Sequence, residues 1–146
     1  RGNASEILAV AGLAGAGRGV DSGNSTEEAR EAADRLALAH DCVVVATGAF
    51  DYVTDGHRAA ALGGGDGLVT KVTATGCALS AAVAAFAGVA EDPLEASLAA
   101  CAVWKVAAHH AADLAAGGPA TFRTAFVDHL ARLGSASVAR SVEVWP

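Results

Sequence analysis

Polar and apolar positions alternate along this chain in blocks that predict helices separated by short strands. Residues 3–11, NASEILAVA, carry the spacing of a short helix. A glycine-rich stretch follows, GLAGAGRGVDSGN, and reads as a loop. Ser25 or Thr26 can cap the next helix, and Glu27 and Glu28 suit its positive end. That helix runs to about His40. CVVVATG then has the continuous apolar character of a buried parallel strand. Residues 50–54 form a second short strand, Asp55-Gly56 marks a turn, and residues 58–62 can pair back as a hairpin. GGGDG is another turn, and residues 68–72 read as a further strand. Thr75-Gly76-Cys77 opens an alanine-rich helix reaching about Val89. Pro93 starts a long helix ending near Gly117-Gly118. Pro119 starts a third, ending at Gly134, and residues 137–145 alternate like a final strand.

Strands interleaved with helices imply an α/β fold whose sheet is mostly parallel and flanked by helices. The helix from Cys77 is apolar on nearly every side, so it needs cover all round. The strands of this chain are too few to cover it and its neighbours. A missing half, a partner subunit or both would supply the rest. The start at Arg1 rather than Met agrees with a piece of a longer chain.

Composition narrows the functions. Hydrophobic residues reach 53%, which places the chain with folded rather than disordered proteins. The net charge of −6 and the lack of a Lys/Arg block argue against nucleic-acid binding. Any phosphate must be held by backbone N–H groups, a few basic side chains and metal. Residues 72–90 carry no charge over a length that could span a bilayer, but small residues dominate them, so a buried helix is the better reading and no membrane partner is expected. Three widely spaced cysteines, Cys42, Cys77 and Cys101, fit neither a disulfide framework nor a zinc site, and point to a reducing cytoplasm.

Some attractive motifs fail. GLAGAGRG puts Arg18 where a P-loop has lysine and Gly19 where it has Ser or Thr, and it follows a helix. His109 and His110 are adjacent on a helix and point apart, as surface or packing histidines would. The glycosylation patterns at Asn3 and Asn24 have no secretory context.

The informative segment is VTKVTATGC, residues 69–77. Ala74, Thr75, Gly76 and Cys77 place backbone N–H groups at the positive end of a helix, a ready anion site. Gly76 lets an anion approach closely. Helix N-termini also favour thiolate over thiol, so Cys77 is either a reactive group or a small buried hydrophobe. Asn3 and Glu6 share a helix face. They can associate with magnesium, often through water, or form a capping box. Arg1 can clamp phosphate or be a plain charge. Thr47 ends the valine strand, where ligands gather in open α/β sheets, and is either a phosphate donor or a strand terminator.

RGNASEI, VVVATGAFDYVTDG and TKVTATGCALSAAVAAF occur together and in this order. The combination resembles the hydroxyethylthiazole kinase family of the ribokinase-like superfamily, from Arg1 to about Leu133. The resemblance implies a ribokinase-like layered fold, of which residues 1–146 would be the C-terminal ATP-binding part of one domain. It implies ATP-dependent phosphorylation of the primary hydroxyl of 4-methyl-5-(2-hydroxyethyl)thiazole, a salvage step of thiamine biosynthesis. It also implies ATP as co-substrate, Mg2+, and a homotrimer with active sites between subunits. On this pattern Arg1 and Thr47 contact ATP, and Asn3 and Glu6 are the magnesium-associated pair. Ala74, Thr75, Gly76 and Cys77 form the anion hole. Ala74 also touches substrate, and Cys77 stands where most of the superfamily has an aspartate base. The family commonly has glycine at the position of Ala74. A hydroxymethylpyrimidine or pyridoxal kinase would share the anion hole, though those usually carry aspartate at Cys77. A noncatalytic nucleotide-binding or oligomerisation fragment is the alternative of another class.

Overall fold

In the computed structural model, residues 1–13, 26–141 and 144–145 are described. Five strands form one sheet in the order β1 (Gly2–Asn3), β2 (Val44–Thr47), β3 (Asp51–Thr54), β4 (Ala59–Leu62) and β5 (Val144–Trp145). The α/β layering is as expected, but the pairing within this chain is not mostly parallel. Only β1–β2 is parallel, and β2–β3, β3–β4 and β4–β5 are antiparallel. For β2–β3 and β3–β4 the reason is connection length. Residues 48–50 join β2 to β3, which leaves no room for the crossover a parallel pair needs.

The two faces of β2 sort its side chains by strand alternation. Val44 and Ala46 pack with Ala4 and Ile7 of α1 (Ala4–Val10) and with Ala29, Ala32, Ala33 and Ala37 of α2 (Thr26–His40). Val45 packs on the other face with Val53, Leu62 and Leu94, Cys101 and Ala102 of α4 (Pro93–Ala115). A third cluster joins α4 to α5 (Pro119–Arg132) through Ala107, Ala108, Ala111, Phe122 and Phe126. Alanine on α2 lets that helix sit close to the sheet, and the longer side chains fill the α4–α5 seam. α3 (Thr75–Ala87) differs: Leu79 is its one buried residue. The expected shortage of cover is therefore present on α3. No helix among the described residues is long and apolar enough to cross a membrane.

One expected strand is helical, and another is helical at its start and a strand at its end. Residues 68–72 lie mostly in a 3₁₀ turn, Gly67–Lys71. Asp66 caps it by accepting the Leu68 N–H at 2.8 Å, and the Thr70 hydroxyl donates to Gly67 O. The turn delivers Leu68, Val69 and Val72 to the α4–α5 cluster, which an alternating strand would not do. Residues 137–145 contain the end of α6 (Ser135–Ser141) and then β5. The Gly134 carbonyl accepts from Ser137 and Val138, starting that helix, and Val138 packs against α4. The loop after Leu13, the rejected P-loop and the Asn24 pattern fall largely outside the described residues.

Arg58 fastens the β3–β4 turn to the start of α4. Its guanidinium donates to Asp55 Oδ2 at 2.8 Å and to Asp92 Oδ2 at 2.7 Å, and Asp92 caps α4 through the Leu94 N–H. Hydrogen bonds from the backbone N–H groups of Arg58 and His57 hold the Asp55 carboxyl down at about 2. A depressed carboxyl adds stability above its ordinary value near 4 and loses it as pH falls through 2. Carbon-detected NMR titration should therefore place the Asp55 midpoint near 2, with melting temperature falling across that window. A midpoint at the ordinary carboxylate value would overturn this account of the turn.

Candidate active site

Strand pairing assembles the first part of the site. Asn3 lies in register with Thr47 across β1 and β2. This brings the Arg1 guanidinium to the Thr47 hydroxyl, which accepts a very short hydrogen bond from Nη2. The same hydroxyl donates to Gly2 O at 3.3 Å, so Thr47 is oriented from both sides. Thr47 is thus both a strand end and a polar contact.

α3 meets Arg1 at Gly76. A Cβ built on Gly76 would lie 2.9 Å from Arg1 Nη1, so the missing side chain is what lets the guanidinium rest there. The first helical bond of α3 runs from Ala78 N to Ala74 O at 2.9 Å. The N–H groups of Thr75, Gly76 and Cys77 precede it, and Ala74 provides no side-chain cap. The Thr75 hydroxyl points away, donating to Val69 O at 2.9 Å and Val72 O at 3.1 Å, and this ties the turn to the helix start. Cys77 is exposed at the third position of α3, one residue beyond the Arg1 contact. Nothing among the described residues buries it. Cys42 is exposed as well, whereas Cys101 is buried in the core. Burial, with the nearby Asp51 charge, pushes the Cys101 thiol up to about 12, which keeps it inert.

Ala74 has φ 72° and ψ 2°, in the left-handed region. That conformation costs a non-glycine residue roughly 1–2 kcal/mol. Glycine at this position would relieve it, less the extra chain entropy glycine loses on folding. Ala74→Gly should raise stability by roughly 0.5–1 kcal/mol, read from urea unfolding of the chain. A lower unfolding midpoint in the variant would show that the alanine is not strained.

Asn3 and Glu6 form a complete capping box. Asn3 Oδ1 accepts from Glu6 N at 2.9 Å and from the Ser5 hydroxyl at 3.0 Å, and Glu6 Oε2 accepts from Asn3 N at 2.7 Å. Both lone pairs of the Asn3 oxygen are taken. The pair does not fit direct coordination by Asn3, but it does fit a hydrated magnesium ion held through water at Glu6, since magnesium keeps several waters. Among the described residues, no group of three or more His, Cys, Asp or Glu side chains could hold a metal ion. His109 packs edge-on against His110, and His110 lies 5.4 Å from His129 by ring centroid.

One feature of the site escaped the sequence reading. Behind Thr47, Asp51 and Lys105 are buried, with Lys105 Nζ 3.4 Å from Asp51 Oδ1. The signal was present: Lys105 is the lone charge between Glu95 and Asp113 on an otherwise apolar helix.

A guanidinium aimed at the positive end of a helix is unfavourable by itself. Two positive elements meeting at a glycine make chemical sense around an anion.

The model of the hydroxyethylthiazole kinase family matches residues 1–136. A hydroxyethylthiazole kinase from Tolumonas auensis is 50% identical over 97% of this chain and 54% of its own length. One from Rhizobium etli is 50% identical over 97% of this chain and 55% of its own. The chain thus spans about half the length of the curated relatives it matches. A solved hydroxyethylthiazole kinase from Pyrococcus horikoshii superposes with a TM-score of 0.83 and 32% identity, covering 98% of this chain and 52% of that one. With the family model matching most of its length, the chain belongs to the hydroxyethylthiazole kinase family.

Proposed function

We propose that this chain is the C-terminal, ATP-binding part of a kinase that phosphorylates 4-methyl-5-(2-hydroxyethyl)thiazole on its primary hydroxyl, a salvage step toward thiamine. The observation that carries the reading is the meeting of Arg1, Thr47 and the start of α3 at Gly76. Phosphoryl transfer depends mainly on positioning and charge stabilisation, and this arrangement offers both. The Arg1 fork and the Thr47 hydroxyl take oxygens of the ATP phosphates. The N–H groups of residues 74–77 face the charge that develops on the transferring group. Cys77 orients the substrate hydroxyl and accepts its proton late in the step. Ala74 borders the substrate. Glu6 would hold Mg2+ through water, and the ion would supply neutralisation of phosphate charge.

The rest of the pocket comes from an N-terminal half. Two surfaces suit that half: the apolar sides of α3, and the outer edge of β1, which bears no strand among the described residues. Assembly is a homotrimer with sites between subunits, and free thiols at Cys42 and Cys77 suit a reducing cytoplasm.

Combining this chain with the N-terminal half of the Tolumonas auensis relative tests the proposal. Phosphorylated thiazole alcohol should form from ATP with the two together and with neither alone. If the assembled protein binds ATP and transfers no phosphate, the noncatalytic reading replaces this one. Preference for hydroxymethylpyrimidine or pyridoxal in competition would instead move it to another ribokinase-like kinase.

A further inference from the structure

Lys105 sits in mid-α4 with 8% of its surface exposed, among apolar neighbours such as Cys101, Ala102 and Val106. An ammonium in such cover is costly, and well-packed apolar residues usually stabilise as much as a buried ion pair or more. Stability is therefore a poor reason for its presence. Its contacts suggest another. Nζ lies 3.4 Å from each of three oxygens: Asp51 Oδ1, Ala49 O and Gly64 O. Asp51 Oδ1 also accepts the Gly48 N–H at 3.1 Å.

Asp51 opens β3, and the two carbonyls, of Ala49 and Gly64, belong to two loops. One is the turn directly after Thr47. The other follows β4, where Gly64 and Gly65 have φ of 89° and 84°, conformations that favour glycine. A Cβ on Gly65 would stand 3.5 Å from Lys105 Cγ, so this loop lies directly on the lysine stem. Burial pushes the Asp51 carboxyl up, and Lys105 opposes this most, with Arg1 contributing as well. The pair is thus within the electrostatic reach of the Arg1–Thr47 contact.

We infer that Lys105 and Asp51 are positioning residues that clamp the loops after β2 and β4, and through Thr47 fix the phosphate end of the nucleotide site without touching substrate. This rests on the kinase reading above. Lys105→Met keeps the stem and loses the ammonium. In the assembled two-part protein, it should raise KM for ATP about tenfold while kcat and KM for the thiazole alcohol stay within about threefold. Hydrogen exchange on the 146-residue chain should show faster exchange at residues 48–50 and 63–65, with the α5 amides unchanged.

The double variant Lys105→Met/Asp51→Asn removes both charges, so it covers the case in which the single variant folds poorly. It should recover melting temperature and still show the raised KM for ATP, because the bonds to Ala49 and Gly64 stay lost. If the double variant recovers wild-type KM for ATP, or if Lys105→Met leaves that KM unchanged, the positioning role is wrong. Failure of the kinase reading looks different: the wild-type assembly would transfer no phosphate. In that case the nucleotide role falls with it, whatever the exchange pattern.

Discussion

Arg1→Ala lowers thiazole phosphorylation by the assembled protein by a factor on the order of 10²–10³, the usual loss when one donor to a developing charge is removed. The guanidinium is oriented by the Thr47 hydroxyl and lies over Gly76, at the start of a helix whose first N–H groups are free of helical partners. Removing it leaves helix N–H groups and Thr47 to face the phosphates alone. Arg1→Lys should recover only part of the loss, because an ammonium keeps the charge without the planar fork. Gly76→Ala provides an independent check. Its methyl group would meet Nη1 at 2.9 Å and displace the guanidinium while leaving Arg1 in the sequence. Steady-state kinetics on the three variants would decide the matter. Wild-type kcat/KM in Arg1→Ala would remove Arg1 from the site and take the main observation behind the proposed function with it.

Cys77→Ala should slow turnover on the order of 10²-fold and leave ATP binding intact. Cys77 stands exposed at the third position of α3, among the N–H groups of the helix start. Its proposed work is to orient the hydroxyl and take its proton late. A thiolate is a weak base for an alcohol, so the reaction should be slowed and not abolished; positioning and charge stabilisation remain. Cys77→Ser keeps a hydrogen-bonding group of similar size and should fall between the two. Single-turnover measurement of the chemical step separates this from slow product release. An unchanged chemical step in Cys77→Ala would end the base role while leaving the anion site standing.

Local chemistry made much of the fold legible. Pro93 and Pro119 at helix starts, the valine run of β2, the Asp55-Gly56 turn and the helix opening at Thr75 all depend on residues within one or two turns of each other. Where the reading failed, distant partners decided. Residues 68–72 and 137–145 both alternate enough to resemble strands. Leu68, Val69 and Val72 are instead drawn onto the α4–α5 seam and Val138 onto α4, so packing outweighs a weak local pattern there, while Val144–Trp145 does form the expected strand. The short strand Gly2–Asn3 was invisible because two residues carry no periodicity, and only pairing with β2 defines it.

The sequence by itself determined the family, the helix start that presents its N–H groups, and the identity of each polar group near it. These are properties of neighbouring residues or of motifs in a fixed order. Tertiary structure decided which of those groups meet. Arg1, Thr47 and Gly76 are far apart in the chain, and a parallel strand pair together with the approach of α3 brings them to one point. It also gave Ala74 a left-handed backbone and buried Lys105 against Asp51. Side-chain direction and burial depend on what packs from elsewhere in the chain, and local spacing carries no record of that.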